Sequence, residues 1–208
     1  MRYFIIFCIA LIVLFLIIDI LQKRLIRSVA WSRKATHISA GGIIFLMPYW
    51  LDCWQIFALG LLFALMLIVS KRKKLLSLHG VKRKTWGEIF YPVSISLLSL
   101  ICLPGNSRVF QISCLVLAVS DGLAGIVGEA WNFYTVTMFH NKKSLGGAIT
   151  FFLSTLTILL LFHGPETPFL RLVFISLMLT ITEFLLFFGS DNIGIPILTA
   201  LLELHILL

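Results

Sequence analysis

The sequence predicts an all-α, polytopic transmembrane helical bundle of about eight spans, seven being the alternative count, built as a single integral membrane domain over residues 1–208. Three observations lead there. Hydrophobic residues make up 60% of the chain and charged residues 12%, and the mean hydropathy is +1.04, outside the range of soluble domains. The apolar residues form continuous runs instead of the alternating pattern of a β-barrel, which is the other way to span a bilayer. Lysine and arginine, finally, are concentrated in every second connection between those runs.

The runs extend over Tyr3–Leu21, His37–Leu51, Trp54–Ser70, Trp86–Leu103, Val109–Trp131, Leu145–His163, Phe169–Phe188 and Asn192–Leu208. The second and the last are short for a full span. The first is preceded by Arg2 but followed by no small-residue cleavage pattern, so it is expected to be a retained helix and not a removed signal peptide. Strong turn signals separate the later runs: Pro104-Gly105-Asn106, Gly164-Pro165 with Pro168, and Gly189-Ser190-Asp191-Asn192-Ile193-Gly194.

One set of connections holds Lys23, Arg24, Arg27, Arg33, Lys34, Lys71–Lys74, Lys82–Lys84, Lys142 and Lys143; the opposite set holds Arg2, Arg108 and Arg171. Basic loops stay on the cytoplasmic side. Eight spans with both termini outside therefore place 14 of the 17 basic residues in the cytoplasm. Topogenic lysines alone account for the net charge of +8, and connections this short make no nucleic-acid surface. Cys8, Cys53, Cys102 and Cys114 lack CxxC spacing and are expected to pack within apolar stretches. The histidines show no zinc-ligand spacing, and His163, His205 and Glu203 are expected at an outer surface.

With this topology five polar clusters fall at the cytoplasmic ends of spans. In Arg33-Lys34-Ala35-Thr36-His37, helical spacing turns both cations and the imidazole toward one neighbourhood. They suit phosphate binding, although a basic membrane flank has the same composition. In Lys84-Thr85-Trp86-Gly87-Glu88, followed by Tyr91-Pro92, the proline lacks the N–H that would bond the Glu88 carbonyl. Glu88 then either contacts a cation or substrate or is neutralised by Lys84.

In Ser120-Asp121-Gly122-Leu123-Ala124-Gly125, with Gly128 beyond, helical spacing makes a stripe of small residues whose one charge is Asp121. A carboxylate at bilayer depth costs about 2.5 to 3.5 kcal/mol, which argues for a use. Either a backbone or a nucleotide approaches closely there. Asn141-Lys142-Lys143-Ser144-Leu145-Gly146-Gly147 sets two lysines before a helix whose N-cap would be Ser144, an arrangement that attracts anions but is not a Walker P-loop. Glu183 sits near a span end and either pairs with a lysine or helps hold a divalent ion, and Asp191 or Asn192 is the expected N-cap of the next span.

Taken together and in this order, RKATH, GEIFYP, SDGLAG with Gly128, KKSLGG and DNIGIP resemble the CTP-dependent lipid alcohol kinases. That family includes phytol kinase, dolichol kinase and the fungal CTP-dependent diacylglycerol kinase, with CDP-diacylglycerol synthase a distant relative. The resemblance covers roughly residues 31 to 200. It departs from the family at Gly122, where alanine is frequent, and at Gly146-Gly147, where an acidic residue often precedes the glycine. The resemblance implies transfer of the γ-phosphate of CTP, with Mg²⁺, to the hydroxyl of a long-chain isoprenoid alcohol or diacylglycerol.

On that footing Asp121, Asp191, Glu183 and Glu88 are the candidate catalytic carboxylates, with Asp121 and Asp191 the metal ligands. Arg33, Lys34, His37, Lys142, Lys143, Gly125, Gly128 and Asn192 are the candidate nucleotide-binding residues. The expected partners are the lipid alcohol, a nucleoside triphosphate and membrane lipid, and the expected location is a bacterial inner membrane with the active face toward the cytoplasm. The competing readings are a cytidylyltransferase that joins a lipid phosphate to CTP, and a transporter. A transporter calls for polar residues through the full membrane depth, whereas these clusters share one end.

Overall fold

The computed structural model describes residues 1–24, 29–73, 86–131, 134–138 and 141–207. Arg27, Lys74 and Lys82–Lys84, which carry part of the charge asymmetry, lie outside the described residues. Helices dominate: α1 (Arg2–Arg24), α2 (Val29–Leu46), α3 (Cys53–Lys73), α4 (Gly87–Cys102), α5 (Ser107–Leu115), α6 (Gly122–Ala130), α7 (Leu145–Phe162), α8 (Phe169–Leu185) and α9 (Asp191–Leu202). A π-helical segment, Val116–Asp121, joins α5 to α6 in one continuous rod, and a second, Glu203–Leu207, extends α9. The described residues thus form eight helical rods, one for each apolar run.

Four of the rods are long and apolar enough to cross a membrane: Arg2–Gln22, Cys53–Lys73, Ser107–Ala130 and Leu145–Phe162. The others are shorter or more polar. The largest shift from the expected boundaries is at α2, which begins at Val29 and so takes the whole Arg33–His37 cluster into a helix. The strands β1 (Thr135–Met138) and β2 (Asn141–Ser144) form an antiparallel hairpin, pairing Val136 with Lys143 and Thr137 with Lys142. The sequence reading had no strand here, because four-residue strands of polar residues carry no hydrophobic alternation.

Burial places the α5–α6 rod at the centre: 72% of its apolar window is buried, against 22% for α1. Its opposite faces feed two cores. Phe110 and Leu117 pack with Phe63 and Leu59 of α3, Ile95 and Leu98 of α4, and Ile44 of α2. Ile112 and Val116 pack with Phe151 and Leu159 of α7, Leu172, Ile175 and Leu179 of α8, and Ile195 of α9. Lipid is as apolar as these side chains, so close backbone approach has to supply much of the cohesion. A Cβ on Gly41 would overlap that of Ala118, where α2 meets the rod, and one on Gly60 would overlap the Ser96 hydroxyl, where α3 meets α4.

The helix ends follow from local chemistry. Asn106 caps α5, its side-chain oxygen accepting from Arg108 N at 3.1 Å and Val109 N at 3.2 Å. Helix α4 continues through Pro92, with the Ser96 hydroxyl 3.3 Å from the Pro92 carbonyl and 3.0 Å from the Phe57 carbonyl of α3. The expected cap of α9 is corrected: Ser190 occupies the N-cap position, its hydroxyl donating back to the Phe187 carbonyl at 2.7 Å instead of capping the helix, and Asp191 and Asn192 stand in the first turn. Asp191 there still favours the positive end of the helix, while Asn192 is released to bond elsewhere. The surface expectation for Glu203 is also corrected, since it is 1% exposed and its carboxylate lies 3.0 Å from His163 Nε2.

Candidate functional site

The site is assembled from helix beginnings. Gly189, at φ +90°, backs directly onto Gly87, where any side chain would collide, and Trp86 N donates to the Phe188 carbonyl at 3.3 Å. The Asn192 amide then donates to the Gly87 carbonyl at 2.9 Å. Those contacts tie the start of α9 to the start of α4. On the other side, Ser144 caps α7 by accepting from Gly147 N at 3.1 Å and donates to the Gly128 carbonyl at 3.2 Å, which ties β2 and α7 to α6. Gly128 and Gly147 face each other at backbone distance.

Ser144 is buried, and replacing it with alanine removes both bonds. Ser144→Ala is expected to cost about 1 kcal/mol or somewhat more, read as a lowered unfolding midpoint in detergent.

Between these ties lies a cleft of about 620 Å³, within the range of small-molecule sites. Arg33, Lys34 and His37 of α2 reach it, as do Asp121, Gly125 and Gly128 of the central rod. Lys142 and Lys143 of the hairpin, Glu183 of α8, and Asp191 and Asn192 of α9 complete it. Eleven of the twelve residues singled out from the sequence therefore converge, along with Glu129, Thr135 and Leu186, which sequence reasoning had not picked out. Nothing in the motifs marked those three: Glu129 is brought in by the last turn of α6, Thr135 by the hairpin and Leu186 by the α8–α9 turn.

Glu88 is the exception. It lines a neighbouring apolar groove instead, and its carboxylate is 2.7 Å from Lys71 Nζ. Lys71 Nζ also sits 5.1 Å from the centre of the Trp86 ring. The partner expected for Glu88, Lys84, lies outside the described residues.

Inside the cleft the charges are interleaved. Asp121 is 6% exposed; its Oδ2 is 3.0 Å from Lys34 Nζ and 3.6 Å from His37 Nε2. Lys34 also donates to the Asp121 carbonyl at 3.1 Å. The stem of Lys34 passes over Gly125, where a Cβ would overlap it, so the small residue makes room for the ion pair. His37 Nε2 lies 3.0 Å from the Leu117 carbonyl; a carbonyl only accepts, so that nitrogen carries the proton. Leu117 belongs to the π-helical segment, a rare turn that recurs at functional sites.

Lys143 forms the second pair. Its ammonium bonds the Glu183 carboxylate and, at 2.9 Å, the Glu183 carbonyl. The choice the sequence left open for Glu183, lysine pairing or metal binding, is met in the ligand-free molecule by pairing. Burial works against the charge on Lys143, and the carboxylates of Glu183 and Asp191 outweigh it, leaving its pKa above the usual lysine value. Lys143 therefore stays cationic throughout the neutral range.

The lining contains four cations, Arg33, Lys34, Lys142 and Lys143, and four carboxylates, Asp121, Glu129, Glu183 and Asp191. A ligand that brings only one sign of charge satisfies half of this set. Among the described residues, no three His, Cys, Asp or Glu side chains gather as a metal cage. Magnesium seldom needs one, because it binds through one or two carboxylates plus phosphates and water. The oxygen donors of Asp121 and Asp191, facing the same cleft, suit that ion.

A bundle of helices able to cross a membrane, closed at one end by a cleft with charges of both signs, defines an integral membrane protein equipped to handle a small charged molecule. Comparison with known proteins sharpens the class. The chain is similar to a phytol kinase from Synechocystis sp., at 29% identity over 193 residues, covering 88% of this chain and 82% of the relative. That match supports the lipid alcohol kinase family that the motifs resemble. No protein-family model matches the chain, and no solved structure matches it.

Proposed function

We propose that this protein is a membrane kinase that transfers the γ-phosphate of CTP to the hydroxyl of a long-chain lipid alcohol, with Mg²⁺, at the cytoplasmic face of a bacterial inner membrane. The observation that carries the proposal is the cleft with four cations and four carboxylates pressed against an apolar groove. Similarity to a phytol kinase supports it independently. A metal-bound triphosphate brings both signs of charge: Lys34, Lys143, Arg33 and Lys142 would hold its phosphates, and Asp121 and Asp191 would hold the metal.

When bound, Mg²⁺ would neutralise charge on the phosphate oxygens. The protein's own contribution is position and electrostatics, which is what phosphoryl transfer chiefly demands. Lys143 and Lys34, each held by a carboxylate and a backbone carbonyl, are fixed before the substrate arrives and need little reorganisation. His37, bonded to the Leu117 carbonyl and tilted at 55° against Tyr91 with ring centres 4.3 Å apart, lines both the cleft and the apolar groove. The alcohol oxygen forms a bond to the γ-phosphorus as its proton passes to a cleft carboxylate and on to water, the bond from the γ-phosphorus to the β–γ bridging oxygen breaks, and CDP leaves with that oxygen.

The test is incubation of the purified protein in detergent with CTP labelled at either the α or the γ phosphorus and a panel of phytol, polyprenols and diacylglycerol, with the lipid monophosphates of each supplied separately. Label from the γ position in a lipid monophosphate, lost on chelation of Mg²⁺ and restored by its return, is the expected result. Label from the α position with release of pyrophosphate identifies a cytidylyltransferase and overturns the proposal. No transfer to any of the alcohols overturns it as well.

A further inference from the structure

Beside the charged cleft runs a narrow apolar groove of about 100 Å³, one-sixth the size of the cleft. Leu11 and Phe15 of α1, Ala40 and Ile44 of α2, and Phe63 and Leu67 of α3 line it. It is continuous with the cleft: Arg33, His37, Gly87 and Asn192 line both. Arg33, Thr36, His37, Ala40 and Ile44 all belong to the groove, and their spacing places them on one face of α2. That face begins with a cation and an imidazole and ends in aliphatic side chains, over about 16 Å of helix. Such a polarity gradient matches an amphiphile lying along the helix, head toward the cleft and chain toward Ile44.

A second observation marks the junction. Asn192 is 9% exposed, its amide nitrogen is committed to the Gly87 carbonyl, and its Oδ1 has no hydrogen-bond partner among the described residues. A buried acceptor left unpaired costs about 1 to 3 kcal/mol. Nitrogen and oxygen cannot exchange places there, because the Gly87 carbonyl accepts only. The residue that carries this unpaired acceptor lines both the charged cleft and the apolar groove. On α1, Ile5, Ile9, Val13 and Leu16 are exposed, while Leu11 and Phe15 line the groove and Phe15 stacks on Phe63 of α3, ring centres 6.1 Å apart.

We propose that the groove holds a single hydrocarbon chain of the acceptor alcohol and that its hydroxyl donates to Asn192 Oδ1, which presents the oxygen to the cleft. This rests on the kinase reading and narrows its substrate class: a groove of about 100 Å³ takes the hydroxyl-proximal part of a single chain, as in an isoprenoid alcohol, and has no room for the two chains of diacylglycerol side by side. Asn192 is thereby assigned to the alcohol and not to the nucleotide.

Binding is read without nucleotide, so that it stands apart from the transfer reaction. Full-length protein in lipid nanodiscs is photolabelled with phytol carrying a diazirine in its tail and, separately, with a diacylglycerol carrying one in an acyl chain, and the labelled residues are mapped. The phytol probe is expected on Phe15, Ile44 and Phe63, at least tenfold more than the diacylglycerol probe. Ala40→Phe fills the groove and is expected to lower that labelling at least tenfold; Leu67→Phe does the same from α3 should the first variant fail to fold. Phytol label on the outer faces of α7 and α8 instead, equal label from diacylglycerol, or full label in the blocked variants overturns the groove assignment.

For the anchor, Asn192→Ala is expected to raise KM for phytol about tenfold with KM for CTP within twofold of wild type. A rise in KM for CTP instead returns Asn192 to the nucleotide and overturns the anchor. Groove labelling in a protein that transfers no phosphate refutes the kinase reading and leaves the groove intact, whereas transfer without groove labelling refutes the groove alone.

Discussion

Asp121→Asn is expected to lower phosphate transfer about 10²- to 10³-fold, the magnitude found when a preorganised electrostatic contact to a reacting group is removed, while leaving the protein folded. The substitution keeps shape and a side-chain acceptor for Lys34, and the bond from Lys34 to the backbone carbonyl of residue 121 is untouched. What disappears is the negative charge between Lys34 and His37, and with it one of the two carboxylates proposed to take the metal. Turnover measured against Mg²⁺ concentration, alongside the unfolding midpoint, separates the two effects: kcat falls, and the midpoint moves little. Undiminished turnover contradicts the role given to Asp121.

Lys143→Met has the larger expected effect on stability. Its ammonium and the Glu183 carboxylate are 19% and 7% exposed, and removing one partner of a buried pair leaves an uncompensated charge at a cost of about 3 to 5 kcal/mol. The double variant Lys143→Met/Glu183→Gln removes both charges and is expected to recover most of that loss. Activity is not expected to return with stability, because the phosphate then lacks its cation. Recovery of both would reduce Lys143 to a structural counter-ion.

The pH dependence follows from the raised pKa of Lys143. A lysine whose folded pKa lies above its unfolded value contributes stability fully below the unfolded pKa and loses it as pH rises through the folded one. The difference in unfolding free energy between wild type and Lys143→Met should therefore stay flat through neutral pH. It should shrink in strongly alkaline solution, where Lys143 loses its charge, and in acid, where protonation of Glu183 removes the charge that Lys143 neutralises.

Much of this was legible in the residues, for identifiable reasons. Long apolar runs locate helices well, and each predicted run has its rod, from Tyr3–Leu21 in α1 to Phe169–Phe188 in α8. The convergence of Arg33, Lys34, Asp121, Lys143 and Asp191 followed from charge alternation, because helices that alternate direction bring every second connection to one end. The cap at Ser144 was visible because a hydroxyl before Leu145-Gly146-Gly147 has a specific local use.

What escaped depended on partners distant in the chain. Glu88 pairs with Lys71 from the preceding helix, a partner that sequence proximity does not suggest. Glu203 is buried by His163, 40 residues away. The hairpin was invisible because its strands are stabilised by each other and by the cleft, not by an apolar face. The open acceptor on Asn192 required knowing that Ser190, not Asp191 or Asn192, takes the N-cap position of α9. Four rods meet the length and apolarity of a crossing helix and four are shorter or more polar, so the apolar runs located the helices without fixing which of them cross.

The central claim is that chain segments far apart in sequence form one cleft open to the cytoplasm. Single cysteines at Glu129, Lys142 and Leu186, on α6, β2 and the turn after α8, test it in a background lacking Cys8, Cys53, Cys102 and Cys114, with a membrane-impermeant thiol reagent applied to intact cells and to inverted vesicles. All three are predicted to react in inverted vesicles alone, and Mg²⁺ with CTP is predicted to protect them. Reaction of any one of them in intact cells would contradict the account.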